Sequence, residues 1–379
     1  MKNKIMYIIC KILTFINKVV PKKNNMIVLY SNLGFRDNVE ALYTYLIDNN
    51  YHKKYKIIVS SNDYKNITHI TGIKYIGCKK GILYFLVSKF FFYSFGKYNI
   101  MPSKKQCVVN LWHGMPLKKI GNMESGKENI KYDYFNYIIS TSKYFDKIMM
   151  KSFKCDYERI MNVGQPRTDY FYKSRTKLFE NYNKIAIWMP TFRVSDLINE
   201  SNTSNENYIL PFIKNKNDFN KLNSVFKKNN SLLLIKLHPI QSKVNLTFSD
   251  KSNIKFIDEE YLNSHNVNLY SFLAQTDMLI TDYSSVYFDY LLINKPILFT
   301  LNDLDDYKKN RGLNFENLEE IMPGPKIFSY SNFINELNDL LKGKDEFCDE
   351  RKKVNRILNE YANKENCKKI CDLCGIKGE

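Results

Sequence analysis

The chain has 379 residues, 44% of them hydrophobic and 15% aromatic, and a formal net charge of +18. Such apolar content supplies a large core and excludes a disordered tail protein, while the length points to two domains. No Gly-X-Y, heptad or longer repeat runs through it, which removes collagen, coiled-coil and solenoid architectures.

The charge is carried by lysine: eight Arg (36, 159, 167, 175, 193, 311, 351 and 356) stand against 49 Lys. Base-reading proteins lean on Arg forks, so nucleic acid is not the expected partner. A Lys-rich surface suits acidic headgroups or phosphorylated substrates, although an AT-rich coding bias also favours Lys, Asn, Ile and Tyr. The eight Cys do not form a disulfide scaffold in a chain this long. The tail triplet Cys367, Cys371 and Cys374 has no nearby His and no second CxxC, so reduced thiols of a cytoplasmic protein are expected there rather than zinc.

The first element is a helix before Pro21. Ile5, Ile9, Ile12, Ile16 and Val19 recur at helical spacing, Ile8, Leu13, Phe15 and Val20 widen that face, and Lys4, Lys11 and Lys18 form a basic stripe. A spanning helix needs ~20 apolar residues without charge, and Lys11 and Lys18 interrupt this one. Residues 1–24 are therefore expected to form an amphipathic helix lying on an anionic membrane surface. A helix packed on the protein's own core is the competing reading.

Beyond it, short apolar runs alternate with amphipathic segments. Strands are expected at Met26–Tyr30, Lys56–Val59, Lys74–Ile76, Phe91–Phe95, Cys107–Leu111, Tyr137–Ser140, Ile160–Val163, Lys184–Met189, Ser231–Lys236, Ile254–Phe256, Met278–Thr281 and Ile297–Phe299. Helices are expected over 37–49, 81–90, 142–152, 216–229, 268–275 and 285–293. Repeated βα units mean a doubly wound α/β architecture. The polar stretch 172–184 marks the domain boundary, 195–208 reads as a surface loop, and the C-terminal part as helices. The expected domains are 25–178 and 179–345, with a helical tail over 346–379.

Five segments place reactive side chains at strand C-termini, where open α/β sheets bind ligands. In Cys107–Lys119 a strand runs into His113, followed by Gly114 and Pro116; a His there suits a general base, with a core-bonded His as the bland reading. Val163–Asp169 presents Arg167 after a Gly-Pro turn, for a phosphate or for a salt bridge to Asp169. Trp188–Arg193 carries Thr191 and Arg193, and Leu233–Pro239 ends a strand at His238. Met278–Tyr290 crowds Thr281, Asp282, Ser284 and Ser285 at one strand end, with Ser284 or Ser285 as N-cap of a helix; this suits a phosphate cradle as well as ordinary capping. There is no P-loop, GxGxxG, HExxH or GxSxG motif, and no acidic cluster that suits a dedicated metal centre.

In this order, NLWHGMPLKKIG (110–121), GQPRTDYF (164–171), WMPTFR (188–193), LIKLHP (234–239), DMLITDYSSVYFDYLLINKPILF (277–299) and YKKNRGLNF with MPGP (307–325) resemble the CDP-glycerol glycerophosphotransferase family of teichoic-acid and capsule synthesis. GQPRTD departs from the family's usual Asn before Asp, and the Cys-rich tail diverges. The resemblance implies a GT-B-like fold of two Rossmann-like domains facing a cleft. It implies transfer of glycerol phosphate from CDP-glycerol to a hydroxyl of a polyprenyl-diphosphate-linked glycan, releasing CMP, by a peripheral protein at the cytoplasmic face of the membrane. No cofactor or protein-held metal is implied.

Carried over by residue, His113 resembles the base and His238 a donor-phosphate contact that helps the leaving group. Thr281, Ser284 and Ser285 would hold the diphosphate, with Thr191 and Asp282 beside them. Arg193 and Arg311 would add phosphate contacts, and Arg167 would orient the site. CDP-ribitol as donor and a nucleotide-sugar glycosyltransferase are the alternatives; the short stretch before the catalytic blocks leans towards a primase-like role.

Overall fold

The continuous apolar runs of the sequence become strands covered on both faces. In the computed structural model, which describes residues 2–173, 178–191, 210–237 and 250–378, they form two separate sheets, parallel throughout. The chain divides into two units: Met1–Met115, Ile120–Asp169 and Glu360–Glu379 make the first, and Pro116–Lys119 with Tyr170–Asn359 the second.

The first unit holds β1 (Lys23–Ser31), β2 (Lys56–Ser61), β3 (Lys74–Ile76), β4 (Ser88–Tyr93), β5 (Cys107–Asn110), β6 (Tyr137–Ser140) and β7 (Ile160–Asn162), in the order β3-β2-β1-β4-β5-β6-β7. Ile27 pairs with Ile57 on one side of β1, and Val28 with Phe91 on the other. Ile27, Val28, Leu29, Ile58, Phe92, Val109 and Ile139 are fully buried, which explains why these strands read as unbroken hydrophobic runs.

The second unit repeats the winding. Its strands β8 (Lys184–Met189), β9 (Ser231–Lys236), β10 (Ile254–Ile257), β11 (Met278–Thr281), β12 (Ile297–Thr300) and β13 (Lys326–Ile327) lie in the order β10-β9-β8-β11-β12-β13. Trp188 on β8 packs on Phe333 with ring centroids 5.2 Å apart, in a core shared with Phe219, Leu222 and Phe226 of the helix Lys216–Lys228. In both sheets the first strand of the unit is central and the order reverses beside it, between β1 and β4 and between β8 and β11.

Three differences from the sequence reading matter. β4 begins at Ser88, directly after the helix Cys78–Val87, and ends at Tyr93 rather than Phe95. Its pairing with β1 begins with Lys23 opposite Ser88, so Ser94 and Phe95 are released into the turn at Gly96, whose φ is +68°. β13 was not expected, because two residues carry no periodicity. The residues expected as a single tail, 346–379, divide between the units. The helix Cys348–Leu358 belongs to the second, where buried Arg351 bonds Asp345 at 2.8 and 2.5 Å.

The chain from Glu360 belongs to the first unit. There Tyr361 N donates to Thr141 O at 2.9 Å, and the helix Asn366–Leu373 buries Cys367, Ile370 and Cys371. Gly164 permits this: a Cβ there would lie 2.3 Å from Asn366 Oδ1 and 2.7 Å from Ala362 Cα. The change of unit falls between Asp169 and Tyr170, earlier than the expected boundary.

The N-terminal helix spans Lys2–Val19. Its docking includes a polar seam. Asn17 Nδ2 donates to Met101 O at 2.9 Å and Gln106 Oε1 at 2.7 Å, and Met101 N donates to Thr14 Oγ1 at 3.1 Å. Its wider apolar face, including Ile5, Ile8, Ile12, Phe15 and Val19, is exposed. Among the described residues no helix is long and apolar enough to cross a membrane.

Candidate functional site

Ligands of open parallel sheets bind outside the strand C-termini where the strand order reverses. In the first unit that edge carries His113. The chain leaves β5 and turns through Trp112 at φ +47° and Gly114 at φ +124°. A left-handed conformation at a bulky residue costs about 1–3 kcal/mol and persists only where the surroundings enforce it. Here they do: Asn110 Oδ1 accepts from Trp112 N at 2.9 Å, and Asn38 Nδ2 donates to Leu111 O at 2.9 Å and Trp112 O at 3.1 Å.

The His113 side chain is exposed, with its ring stacked on Phe95 (4.7 Å between centroids, 20° between planes) and tilted against Trp112 at 4.1 Å. Its Nδ1 lies 3.4 Å from Ser94 O. A carbonyl only accepts, so this contact favours the tautomer with the proton on Nδ1. An exposed imidazole at the C-terminal edge of a parallel sheet suits a general base.

Arg167 supports this turn from beneath. It is 5% exposed, and its Nη1 donates to Asp37 Oδ1 at 2.8 Å, Asp37 Oδ2 at 2.7 Å and His113 O at 3.1 Å. Its backbone N donates to Asn38 Oδ1 at 3.1 Å, while Asn38 Nδ2 reaches Gln165 Oε1 at 2.6 Å. Arg167 is thus a positioning residue here, with its guanidinium on Asp37. The alternative salt bridge to Asp169 is also replaced. Asp169 accepts from Asn366 N at 2.8 Å, Asn366 Nδ2 at 2.9 Å and Cys367 N at 2.8 Å, and burial pushes its carboxyl above the usual range.

Asp37 and Asn38 were missed from sequence; the available signal was an Asp-Asn pair opening a helix just after the first strand. Around the same edge Asn32 Oδ1, Ser94 Oγ and Gln165 Nε2 are buried without a hydrogen-bond partner among the described residues. Buried polar atoms are normally paired, so these three are exceptions within this part of the unit.

The corresponding edge of the second unit joins β8 to β11. Asp282, fully buried, accepts from Thr191 N at 2.9 and 3.0 Å and from Thr191 Oγ1 at 2.8 Å. Thr281 Oγ1 donates to Met189 O at 2.8 Å and is also fully buried, so its hydroxyl ties β11 to β8 rather than facing a ligand. That leaves Ser284 and Ser285, both partly exposed, at the start of the helix Val286–Tyr290. Ser285 occupies the N-cap with αR backbone and makes no side-chain cap bond; Ser284 Oγ lies 3.5 Å from Val286 N, at the limit of a hydrogen bond.

Tyr283 continues the edge, donating to Asp303 Oδ1 at 2.9 Å and stacking on Tyr307 at 3.9 Å. His238 and Arg193 lie outside the described residues, as does the Arg311 side chain; the backbone of Arg311 ends the helix Leu304–Arg311. Just past it, Gly312 O accepts from Lys119 N at 3.2 Å, and Asn314 Nδ2 donates to Pro116 O at 3.0 Å and Lys118 O at 2.7 Å. Two separate sequence blocks, MPLKK and RGLNF, are therefore one local structure. Among the described residues no group of three His, Cys, Asp or Glu is placed to hold a metal ion.

Two doubly wound parallel sheets, each with polar side chains gathered at its reversal point, make the fold GT-B-like. Within it, the sequence profile of the CDP-glycerol:poly(glycerophosphate) glycerophosphotransferase family matches residues 12–374, and the chain belongs to that family. It is 30% identical over 257 residues to the teichoic acid glycerol-phosphate primase of Bacillus subtilis (strain 168), covering 63% of this chain and 61% of the relative. It is 28% identical over 334 residues to the teichoic acid poly(ribitol-phosphate) polymerase of Bacillus spizizenii, covering 81% of this chain and 50% of the relative. These matches span roughly half to three-fifths of the relatives' lengths. The solved structure of the wall teichoic acid polymerase TagF superposes with a TM-score of 0.75 at 22% identity, over 99% of this chain and 95% of that one, a likeness of fold.

Proposed function

We propose that the chain transfers glycerol phosphate from CDP-glycerol to a hydroxyl of a lipid-linked wall-polymer or capsule acceptor, releasing CMP. The observation that carries this is His113: an exposed imidazole at the sheet's C-terminal edge, on a turn held by Asn38 and Arg167, in a chain of this family. His113 Nε2 takes the proton of the acceptor hydroxyl. The acceptor oxygen bonds to the phosphorus that carries glycerol, and the diphosphate P–O bond breaks with its electron pair leaving on CMP. Such transfer needs in-line positioning and neutralisation of phosphate charge, which His, Arg and backbone N–H groups supply.

The first unit takes the acceptor at the edge that carries His113. The second unit takes the donor at the β8–β11 edge, with Ser284, Ser285, Arg193 and Arg311 on the diphosphate and His238 at the leaving group. The exposed apolar face of the helix Lys2–Val19, with Lys11 and Lys18 beside it, lies on the anionic cytoplasmic membrane surface where the acceptor is anchored.

A second reading, CDP-ribitol as donor, is favoured by the similarity to the ribitol-phosphate polymerase. Supplying each CDP-polyol in turn with membrane acceptor, and following CMP release together with polyol phosphate entering the lipid fraction, separates the two. Transfer of a sugar from a nucleotide sugar instead would reject both.

A further inference from the structure

The lysines of the first unit are not spread evenly. At the N-terminal edge of its sheet, where β1, β4 and β5 begin, a cavity of about 550 Å³ is lined by Pro21, Lys22, Lys89, Lys104, Lys105 and Cys107, with Asn24 and Gln106 completing the wall. This edge is opposite the one that carries His113, so the cavity belongs to no part of the site described above. No carboxylate lines it, and no salt bridge joins any of its four lysines to an acid among the described residues.

We propose that this cavity binds the phosphate of an anionic lipid headgroup. Four lysines bordering one concavity that no carboxylate lines give it a positive field that favours an anion. Lys22 is the anchored member: its Nζ donates to Asn17 Oδ1 at 2.7 Å and Leu86 O at 2.5 Å, leaving a third proton for a ligand. Burial brings its ammonium down to about 8, a cost that a neighbouring phosphate relieves. Lys104 and Lys105 are exposed at the rim, and Lys89 lies over the Phe90 ring.

The source of the phosphate follows from what adjoins the cavity. Pro21 and Lys22 directly follow the N-terminal helix, whose last exposed apolar side chains, Phe15 and Val19, are 68% and 65% exposed. An exposed apolar helix face that leads in the chain to a basic pocket matches the boundary of a bilayer, where acyl chains meet headgroup phosphates. A free phosphate gives no reason for the apolar neighbours. The inference rests on the reading of this helix as membrane-facing and is independent of the donor chemistry.

The test is co-sedimentation of the full chain with vesicles of phosphatidylcholine, with and without phosphatidylglycerol. Three chains are compared: unaltered, Lys89→Gln/Lys104→Gln/Lys105→Gln, and Lys65→Gln/Lys147→Gln/Lys151→Gln, which removes the same charge from exposed positions outside the cavity. Melting followed by circular dichroism checks that each folds. The cavity variant is expected to lose at least about tenfold in partition onto phosphatidylglycerol vesicles, and the control variant less than about threefold. Equal losses would overturn the site while leaving the membrane-facing helix standing. No binding of the unaltered chain to either vesicle would overturn both. If inorganic phosphate raises the melting temperature of the unaltered chain but not of the cavity variant, and vesicle binding is the same for both, the cavity serves a soluble anion and the lipid source is wrong.

Discussion

The Arg167 guanidinium donates to the backbone carbonyl of His113 at 3.1 Å while pairing with both oxygens of Asp37. The pair is nearly buried, with 6% and 18% of the two side chains exposed. One buried ion pair thus holds the turn that carries the proposed base.

Replacing Arg167 by Ala leaves Asp37 partly buried and unpaired, which costs about 3 kcal/mol of stability. It also frees the His113 carbonyl, and a misplacement near 1 Å costs about 100-fold in rate. Arg167→Ala is expected to lower kcat while leaving KM for CDP-glycerol near its original value, since the guanidinium is spent within the protein. Steady-state kinetics with denaturant unfolding checks both; a KM effect larger than the kcat effect would return Arg167 to the substrate.

The second unit offers the complementary experiment. Asp282→Ala removes the acceptor of three contacts from Thr191 and leaves a half-buried N–H without this acceptor, at about 1 kcal/mol. Thr191→Val removes only the hydroxyl contact, at about 0.5–1.5 kcal/mol. Because this edge is assigned to the donor, Asp282→Ala is expected to raise KM for CDP-glycerol more than it lowers kcat. The reverse split would place the donor elsewhere.

Lys22 gives a pH signature. Its folded value, about 8, lies below the ordinary 10.5 through burial, so the folded state disfavours the charged form. The contribution from this group is therefore present above pH 10.5 and is lost as pH falls through 8. The stability difference between the unaltered chain and Lys22→Met is expected to shift in favour of the unaltered chain between pH 8 and 10.5. Urea unfolding of both chains across that range measures it; a difference that stays flat would mean the ammonium is not desolvated.

On the N-terminal helix, Ile8→Asp with Phe15→Asp alters side chains that are more than half exposed. Stability is expected to move by no more than about 0.5 kcal/mol, while binding to phosphatidylglycerol vesicles drops. A large loss of stability would mean that this face packs on protein.

Much of the fold was legible. Lys74–Ile76, Tyr137–Ser140, Lys184–Met189, Ser231–Lys236 and Met278–Thr281 all lie where their apolar runs place them, because strands covered on both faces need no alternation. What escaped is long-range. Nothing near Arg167 names Asp37 as its partner across 130 positions, and nothing in the tail announces that Asn366 caps Asp169. The Ser31–Asn38 turn and the released Ser94–Phe95 carry no motif either; they matter only because β1 and β4 are neighbours. At Thr281 the sequence showed a hydroxyl at a strand end, and only the pairing of β11 with β8 shows it turned inward to Met189.

The most direct measurement is CMP release and glycerol phosphate incorporation by the intact chain, given CDP-glycerol and lipid-linked acceptor, beside His113→Ala. General-base catalysis contributes about 10²–10⁴-fold, and the His113 side chain is exposed, its ring meeting Phe95 and Trp112 outside the buried core. The account expects equal CMP and glycerol phosphate from the unaltered chain, and a rate reduced at least about 100-fold in a variant with unchanged melting. A His113→Ala chain that turns over at a near-normal rate, or an unaltered chain inactive with every CDP-polyol, would contradict it.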